Sequence, residues 1–246
     1  MDPVILAQRL TRRYRRRRFV LGPVDLVLQR GGCLGVLGPA DSGKTVLLKL
    51  LMGLTARNEG TLRVFGVDPQ RWGLQVRSRT GLVPEGFNLP RDRTPRWFLR
   101  YVGLMWGLSP EVLGERVETV ASTVGLSSLD QQPMARLDRD DLLRVGLAQA
   151  LLGDPELLVF DDFPGLSPDE ESRALRELSC QLIRSWQTQG RAVIVTAREA
   201  QLLPGSCTAL LVLRSGKPIR WGTMEQLVES PAELEASYRR WLEEEG

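Results

Sequence analysis

The segment from Gly38 to Thr45 constrains this chain most, because it matches the pattern G-x-x-x-x-G-K-[ST] in full. A short apolar run, Cys33 to Leu37, precedes it, and a leucine-rich stretch with the composition of a buried helix follows. Glycines let backbone N–H groups converge on phosphate oxygens, and the start of a helix adds the positive end of its dipole there. The segment therefore predicts a phosphate-binding loop between a buried strand and a helix.

Individual residues of this loop have expected roles. Lys44 is expected to reach the β- and γ-phosphates of a nucleoside triphosphate, and the Thr45 hydroxyl to ligate Mg²⁺. Asp161 ends the apolar run 157–160, where an aspartate would hold the same Mg²⁺ through water. The candidate phosphate-binding residues are Gly38, Pro39, Ala40, Asp41, Ser42, Gly43, Lys44, Thr45 and Val46.

The rest of the chain alternates between strand and helix patterns. This alternation predicts an α/β fold with a mainly parallel sheet and helices on its faces. On one helical face the pattern places apolar side chains that we expect in the core: Trp97, Phe98, Tyr101 and Val102. Strands are predicted at 3–8, 24–29, 61–67, 81–83, 157–160, 192–195, 208–212 and 218–221, and a crossover helix at 169–187. Ser109 and Pro110 are expected to cap and begin a further helix, and Ser215-Gly216 to turn a hairpin.

Composition is typical of a soluble globular protein, with 42% hydrophobic and 26% charged residues among 246. No apolar run approaches the roughly 18 residues of a membrane span. The amino terminus lacks a basic lead followed by an apolar stretch, so we expect no secretory signal and a cytoplasmic protein. The absence of a repeat or low-complexity linker predicts one compact domain.

Cysteine and histidine usage argues against a metal centre built on those residues. Cys33, Cys180 and Cys207 have no metal-ligand spacing, and we interpret them as buried small side chains in a reducing compartment. Histidine is absent, which removes the commonest metal ligand and the usual proton carrier near neutral pH.

Six arginines surround Tyr14, although the formal net charge is only +3. This cluster, Arg12 to Arg18, is compatible with a solvated loop between two strands. Contact with phosphates or with an anionic membrane surface is the alternative, which the sequence favours less than the solvated loop. No interleaved aromatic set elsewhere indicates a nucleic-acid groove, so no nucleic-acid partner is expected.

The order of these segments resembles the nucleotide-binding subunits of ABC transporters across essentially the whole chain. The block from Leu137 to Asp161 follows the family's signature-to-Walker-B block without a gap. The resemblance implies a single domain, 1–246, with a P-loop NTPase fold. Its RecA-like core would span about 1–87 and 153–246, together with an antiparallel β subdomain. A helical ABC subdomain at about 88–152 would meet the membrane partner.

The resemblance also implies cofactors and roles. ATP with Mg²⁺ would bind, and Tyr14 would stack on adenine. The segment Gly81 to Glu85 is similar to the Q-loop, with Glu85 in place of the usual glutamine. Glu85 is thereby a candidate Mg²⁺ ligand and a candidate catalytic residue. The glutamate variant looks like the ABC-2 type exporters, which favours export.

Four positions depart from the family pattern. Asp162 replaces the catalytic glutamate, and Arg198 replaces the switch histidine. The segment 163–167 loses a residue and the D-loop aspartate, ending at Ser167. In the signature, where the family has Leu-Ser-Gly-Gly-Gln, this chain has Leu137, Asp138, Arg139, Asp140 and Asp141. Three carboxylates would repel the phosphate that this segment clamps in an opposing subunit, and no glycine lets the backbone approach.

The resulting hypothesis is an ATP-binding subunit of an ABC export complex with impaired hydrolysis. It would lie at the cytoplasmic face of the inner membrane and couple dimer closure to a membrane-spanning subunit. A heterodimer with a more standard ATPase is expected, because a homodimer would place Lys44 opposite Asp138, Asp140 and Asp141. Two alternatives stay open: a regulatory or structural ABC-type protein without a transport role, and a fully active ATPase in which Asp162 and Arg198 substitute adequately.

Overall fold

Apolar strands with both faces buried form the centre of the larger sheet in this computed structural model. The structure describes residues 2–14, 19–86, 88–126, 131–167, 173–230 and 233–244. All side chains of two adjacent strands are buried, as expected where helices cover both faces of a parallel sheet. The strands are β1 Ile5–Tyr14, β2 Phe19–Leu28, β3 Cys33–Leu37, β4 Glu59–Val64, β5 Thr80–Val83, β6 Leu157–Asp161, β7 Ala192–Ala197, β8 Ala209–Arg214 and β9 Lys217–Thr223. The helices are α1 Lys44–Leu51, α2 Pro69–Arg77, α3 Pro95–Met105, α4 Pro110–Thr123, α5 Arg139–Leu151, α6 Arg173–Thr188, α7 Met224–Leu227 and α8 Leu234–Glu244.

The six-stranded sheet has the order β5-β6-β7-β3-β8-β9, and only its last pair is antiparallel. The carboxyl ends of β6, β7 and β3 therefore lie side by side at one edge. Three loops begin there, after Leu37, Asp161 and Ala197. Ligands of open α/β sheets bind at this edge, so the topology positions a site.

A second, antiparallel sheet has the order β2-β1-β4. The strands predicted at 3–8 and 24–29 are both longer, continuing to Tyr14 and starting at Phe19. The prediction was too short because Arg9 has a φ of 49° at a register shift, and such a bulge breaks the alternation of buried and exposed residues. Residues 15–18 of the arginine cluster lie outside the described residues.

The strand predicted at 61–67 ends earlier, at Val64. Phe65 and Gly66 have positive φ, and the Val67 N–H donates back to the Val64 carbonyl at 3.1 Å. A tight turn therefore replaces the last three predicted strand residues. The hairpin at Ser215-Gly216 is confirmed, with positive φ at both positions.

Helices α3, α4 and α5 pack on one another beside β5. Helix α4 begins at Pro110 behind Ser109, as predicted. Helix α6 is described from Arg173, so residues 169–172 of the predicted crossover helix lie outside the described residues.

The prediction that the aromatic face of α3 belongs to the core is wrong for two of its residues. Trp97 and Tyr101 are 44% and 50% exposed, and their rings stack at 5.4 Å. Phe98 and Val102 are partly buried against the core. The fully buried side of α3 consists of Pro95, Leu99 and Gly103, and none of these residues belongs to the predicted face. The apolar surface of α3 is therefore wider than the part that packs against the rest of the domain.

Cys33 and Cys207 are buried as expected, and their Sγ atoms lie 3.5 Å apart. Cys180 is half-buried. Within the described ranges no helix is long and apolar enough to cross a bilayer, and no cluster of His, Cys, Asp and Glu side chains forms a metal site.

Candidate functional site: the phosphate-loop cavity

A cavity of about 860 Å³ opens at the edge where β3, β6 and β7 end. Its volume falls within the range of small-molecule sites in proteins. The described residues that line it are Tyr14, Phe19, Ala40, Asp41, Ser42, Gly43, Lys44, Thr45, Val46, Lys49, Glu85, Asp162 and Arg198. Most of the site residues expected from the sequence therefore come together here, from segments far apart in the chain.

The loop between β3 and α1 needs its two glycines for different reasons. A Cβ at Gly38 would lie 2.3 Å from Ser42 Oγ and 2.5 Å from the Leu213 carbonyl, so no side chain fits. Gly43 has a φ of 107°, which turns the chain into α1. The N-cap residue of α1 is Gly43, which has no side-chain oxygen to cap the helix, so the N–H groups of the first turn can bind an anion.

The Lys44 side chain is almost fully buried and folds back over the loop. Its Nζ donates to the carbonyls of Gly38 at 2.7 Å and Pro39 at 3.1 Å. The third contact is with Asp162 Oδ2 at 3.5 Å. Burial lowers the pKa of Lys44, and the nearby Asp162 charge partly offsets this effect.

Asp162 follows β6 and joins Lys44 to Arg198. Arg198 Nε lies 3.3 Å from the same Oδ2 atom, and its other arm donates to Glu85. The second oxygen, Oδ1, is buried without a hydrogen-bond partner among the described residues. Four charged residues thus form one chain of contacts along the cavity wall: Glu85, Arg198, Asp162 and Lys44.

Asp161 lies behind this chain and does not line the cavity. The Thr196 hydroxyl donates to Asp161 Oδ1 at 2.9 Å and accepts from the Asp162 N–H at 2.9 Å. Burial raises the pKa of Asp161, the Thr196 hydrogen bond lowers it, and the charges of Asp162 and Glu85 raise it further. Asp161 is therefore held beside the loop by β7.

Two rings from the antiparallel sheet form the other end of the cavity. Tyr14 and Phe19 pair across β1 and β2, with ring centroids 6.5 Å apart. The Arg12 guanidinium lies 4.6 Å from the Tyr14 ring centroid. Partial burial raises the pKa of Tyr14, but hydrogen bonds to Thr55 and Arg12 and nearby positive charge outweigh it, so the net shift is downward.

Sequence reasoning missed two lining residues, Phe19 and Lys49. Phe19 becomes visible once β1 and β2 extend to the turn, because it then faces Tyr14. Lys49 lies one helical turn after Thr45, on the same face of α1. A helical projection of α1 from the phosphate loop would have identified it.

The signature-like residues line no part of this cavity. Asp138 caps α5, and its Oδ1 accepts the Asp141 N–H at 2.8 Å. Asp140 and Asp141 lie in the first turn of the same helix. Burial raises the pKa of Asp141, the Asp138 charge raises it further, and Arg144 lowers it. Asp138 is thus the N-cap residue of α5, a role that serine fills equally well.

The residues present fit a bound triphosphate with a hard cation. Ser42 Oγ and Asp162 Oδ1 are buried polar atoms that lack a partner among the described residues. The Gly38 cradle admits no side chain, and the first turn of α1 offers N–H donors. Thr45 and Glu85 line the cavity with oxygen atoms of the kind that Mg²⁺ prefers, and Asp161, behind the wall, would act on the cation only through water.

Comparison with known proteins agrees with this geometry. Residues 21–163 match the protein family described as ABC transporter. Nod factor export ATP-binding protein I of Cupriavidus metallidurans is 32% identical over 227 residues, which are 92% of this chain and 73% of that protein.

Two solved structures share the fold. An ATP-binding subunit of an ABC transporter superposes with a TM-score of 0.81 at 19% identity, over 97% of this chain and 99% of that one. CbiO1 from Clostridium perfringens, part of an ABC transporter complex, gives 0.80 at 19% identity, over 92% and 90%. The fold is thus the P-loop NTPase fold of ABC ATPase domains, and the chain belongs to the ABC transporter family, among relatives named ATP-binding proteins.

Proposed function

We propose that this chain is the ATP-binding subunit of an ABC export complex and that it holds ATP with Mg²⁺ more than it hydrolyses it. The observation that carries the proposal is the complete phosphate loop in a nucleotide-sized cavity. Beside it, the Asp162 carboxylate is already paired with Lys44 and Arg198. Lys44 and the first turn of α1 would bind the phosphates. Tyr14 and Phe19 would hold the base.

Impaired hydrolysis is supported by the two oxygens of Asp162. Oδ2 is shared by Lys44 and Arg198, and Oδ1 is buried away from solvent. A general base must accept a proton from the attacking water; here two cations compete with that proton for Oδ2, and Oδ1 is buried. Arg198 stays charged near neutral pH, so it cannot exchange protons as a histidine would.

A heterodimer is supported by the acidic start of α5. Asp138, Asp140 and Asp141 would face the phosphates bound by an opposing subunit, where like charges repel. A partner with a standard signature would close over the Lys44 site of this chain. The mirror site, between the partner's phosphate loop and Leu137 to Asp141, would lack a normal clamp.

A membrane-spanning subunit is supported by the exposed apolar face of α3. Leu104 and Met105 are 54% and 72% exposed, and they continue the face that begins with Trp97 and Tyr101. Exposed apolar patches of this kind mark contact sites for other proteins. This contact would keep the chain at the cytoplasmic face of the inner membrane. Export is supported by the Nod factor export proteins among the relatives.

The test is purification of the tagged chain at native expression, followed by identification of its partners. A multi-spanning membrane protein and a second ABC ATPase should accompany the wild type. A variant with Leu104→Gln and Met105→Gln should lose the membrane protein, whereas Val27→Ala, at an exposed apolar position on β2, should keep it. Purification without a membrane protein would favour a regulatory or structural role.

Turnover separates the proposal from a fully active ATPase. The chain alone should hydrolyse ATP very slowly, and Asp162→Glu in the assembled complex should raise turnover strongly. Ordinary turnover by the isolated chain would contradict impaired hydrolysis and leave ATP binding intact.

A further inference from the structure

The C-terminal helix α8 is anchored to the β8–β9 hairpin at its far end. Arg214 of β8 donates to the Leu242 carbonyl, and Arg220 of β9 pairs with Glu244. Trp241 is buried in the same core cluster as Tyr238 and Leu234. The helix is therefore a fixed part of the domain.

The near end of α8 contacts the segment that follows β7. Glu235 Oε2 accepts the N–H of Ala200 at 3.1 Å, and its Oε1 is paired with Arg239 Nε at 2.8 Å. Ala200 begins a short 3₁₀ turn, and the preceding Glu199 provides no side-chain cap for it. Glu235 supplies that missing acceptor from a different element of the fold.

This hydrogen bond fixes the backbone on the C-terminal side of Arg198. On the N-terminal side, Ala197 ends β7, and its carbonyl accepts the Gly38 N–H of the phosphate loop at 3.1 Å. Only Arg198 and Glu199 separate the two fixed points. The backbone is therefore fixed on both sides of Arg198, and on one of those sides Glu235 fixes it.

Tyr238 lies against the same region. It is 4% exposed, and its hydroxyl has no hydrogen-bond partner among the described residues. Burial, with the negative charges of Glu235, Asp162 and Glu199, raises the pKa of Tyr238 to about 12. Helix α8 packs on the 3₁₀ turn that begins at Ala200.

We propose that Glu235 is a positioning residue that holds Arg198 where the terminal phosphate of ATP binds, and that α8 thereby favours ATP over ADP. The inference rests on the proposed ATP binding. Lys44 reaches the β- and γ-phosphates, and Arg198 is joined to Lys44 through a single carboxylate, at 3.3 and 3.5 Å. The Arg198 guanidinium, held beside Lys44, would act mainly on the γ-phosphate, which ADP lacks.

The test measures dissociation constants for ATP and ADP by titration calorimetry of the full chain. Glu235→Ala should lower the ATP-to-ADP affinity ratio about fivefold, the size expected for one lost hydrogen bond. Glu235→Gln removes the same charge but keeps an acceptor, so its ratio should stay within about twofold of wild type. Glu243→Ala, on the exposed side of α8, is the matched charge control.

A double-mutant cycle separates positioning from general stability. Arg198→Ala should lower the ratio by about tenfold or more, and adding Glu235→Ala should lower it no further. Hydrogen exchange of residues 198–203 should quicken in Glu235→Ala and stay unchanged in Glu235→Gln. Equal ratios in both Glu235 variants, or an undiminished Glu235→Ala effect beside Arg198→Ala, would overturn the inference. A wild-type chain that binds neither nucleotide would instead refute the proposed function, and this inference with it.

Discussion

Substitution of Asp162 by asparagine should tighten ATP binding, because the carboxylate now competes with phosphate for Lys44. The Lys44 Nζ to Asp162 Oδ2 distance is 3.5 Å, and both side chains are largely buried. A phosphate oxygen that hydrogen-bonds the same Nζ would lie on the order of 6 Å from that carboxylate. Two unit charges at this distance repel by about 0.7 kcal/mol in water and about 3 kcal/mol at an effective dielectric constant of 20.

The expected gain is therefore between about 0.7 and 3 kcal/mol, which corresponds to roughly threefold to just over a hundredfold in the ATP dissociation constant. Asparagine has nearly the same volume, and it tolerates the left-handed backbone found here, with φ of 46°. Lys44 keeps its two carbonyl acceptors, so the fold should persist.

The assay is ATP titration by calorimetry, first in EDTA and then with Mg²⁺, alongside the midpoint of thermal unfolding. Mg²⁺ should reduce the difference between variant and wild type, because the cation screens the repulsion. Asp92→Asn, at an exposed aspartate, removes an equal charge elsewhere and should leave ATP affinity unchanged. Unchanged or weaker ATP binding by Asp162→Asn would refute the competition between carboxylate and phosphate.

Two further perturbations test the site and the fold. Lys44→Ala should weaken ATP binding by about tenfold or more in the same titration, since a charge-assisted contact to phosphate is lost; undiminished binding would place the nucleotide elsewhere. Asp68 caps α2 and pairs with Arg57 at 2.7 Å, and its pKa is lowered, first by the Arg57 hydrogen bond. A lowered carboxyl pKa adds stability that is present above the unfolded-state pKa and lost as pH falls through the folded-state pKa. Asp68→Asn should therefore lower the unfolding midpoint at pH 7 and flatten its decline below pH 4, as followed by circular dichroism, whereas parallel curves for variant and wild type would contradict the pairing.

The phosphate loop could be predicted from sequence because its chemistry is local. Eight consecutive residues carry the backbone path, the lysine and the hydroxyl together. The central sheet could be predicted equally well, because buried parallel strands are short apolar runs between helices. The positions of Asp162 and Arg198 came only from resemblance, since a strand order is needed to bring the ends of β6 and β7 together.

Other features depended on interactions that a single sequence does not encode. Periodicity identified the apolar face of α3, but it does not distinguish a face buried by this chain from one left exposed. The bulge at Arg9 concealed the length of β1 and with it the partnership of Tyr14 and Phe19. The hydrogen bond from Ala200 to Glu235 joins residues with no sequence pattern in common.

The cap that Asp138 provides for α5 bears on how this protein could change over generations. The helix needs an oxygen acceptor at this position, and in the proposed dimer a phosphate facing it would need a side chain without negative charge. Aspartate meets the first demand and fails the second, whereas serine meets both. Aspartate and serine cap helices about equally well, so folding imposes no barrier between the two states at this site. Natural variants at this position should therefore be drawn from a small set of capping residues, whichever of them suits the opposing subunit.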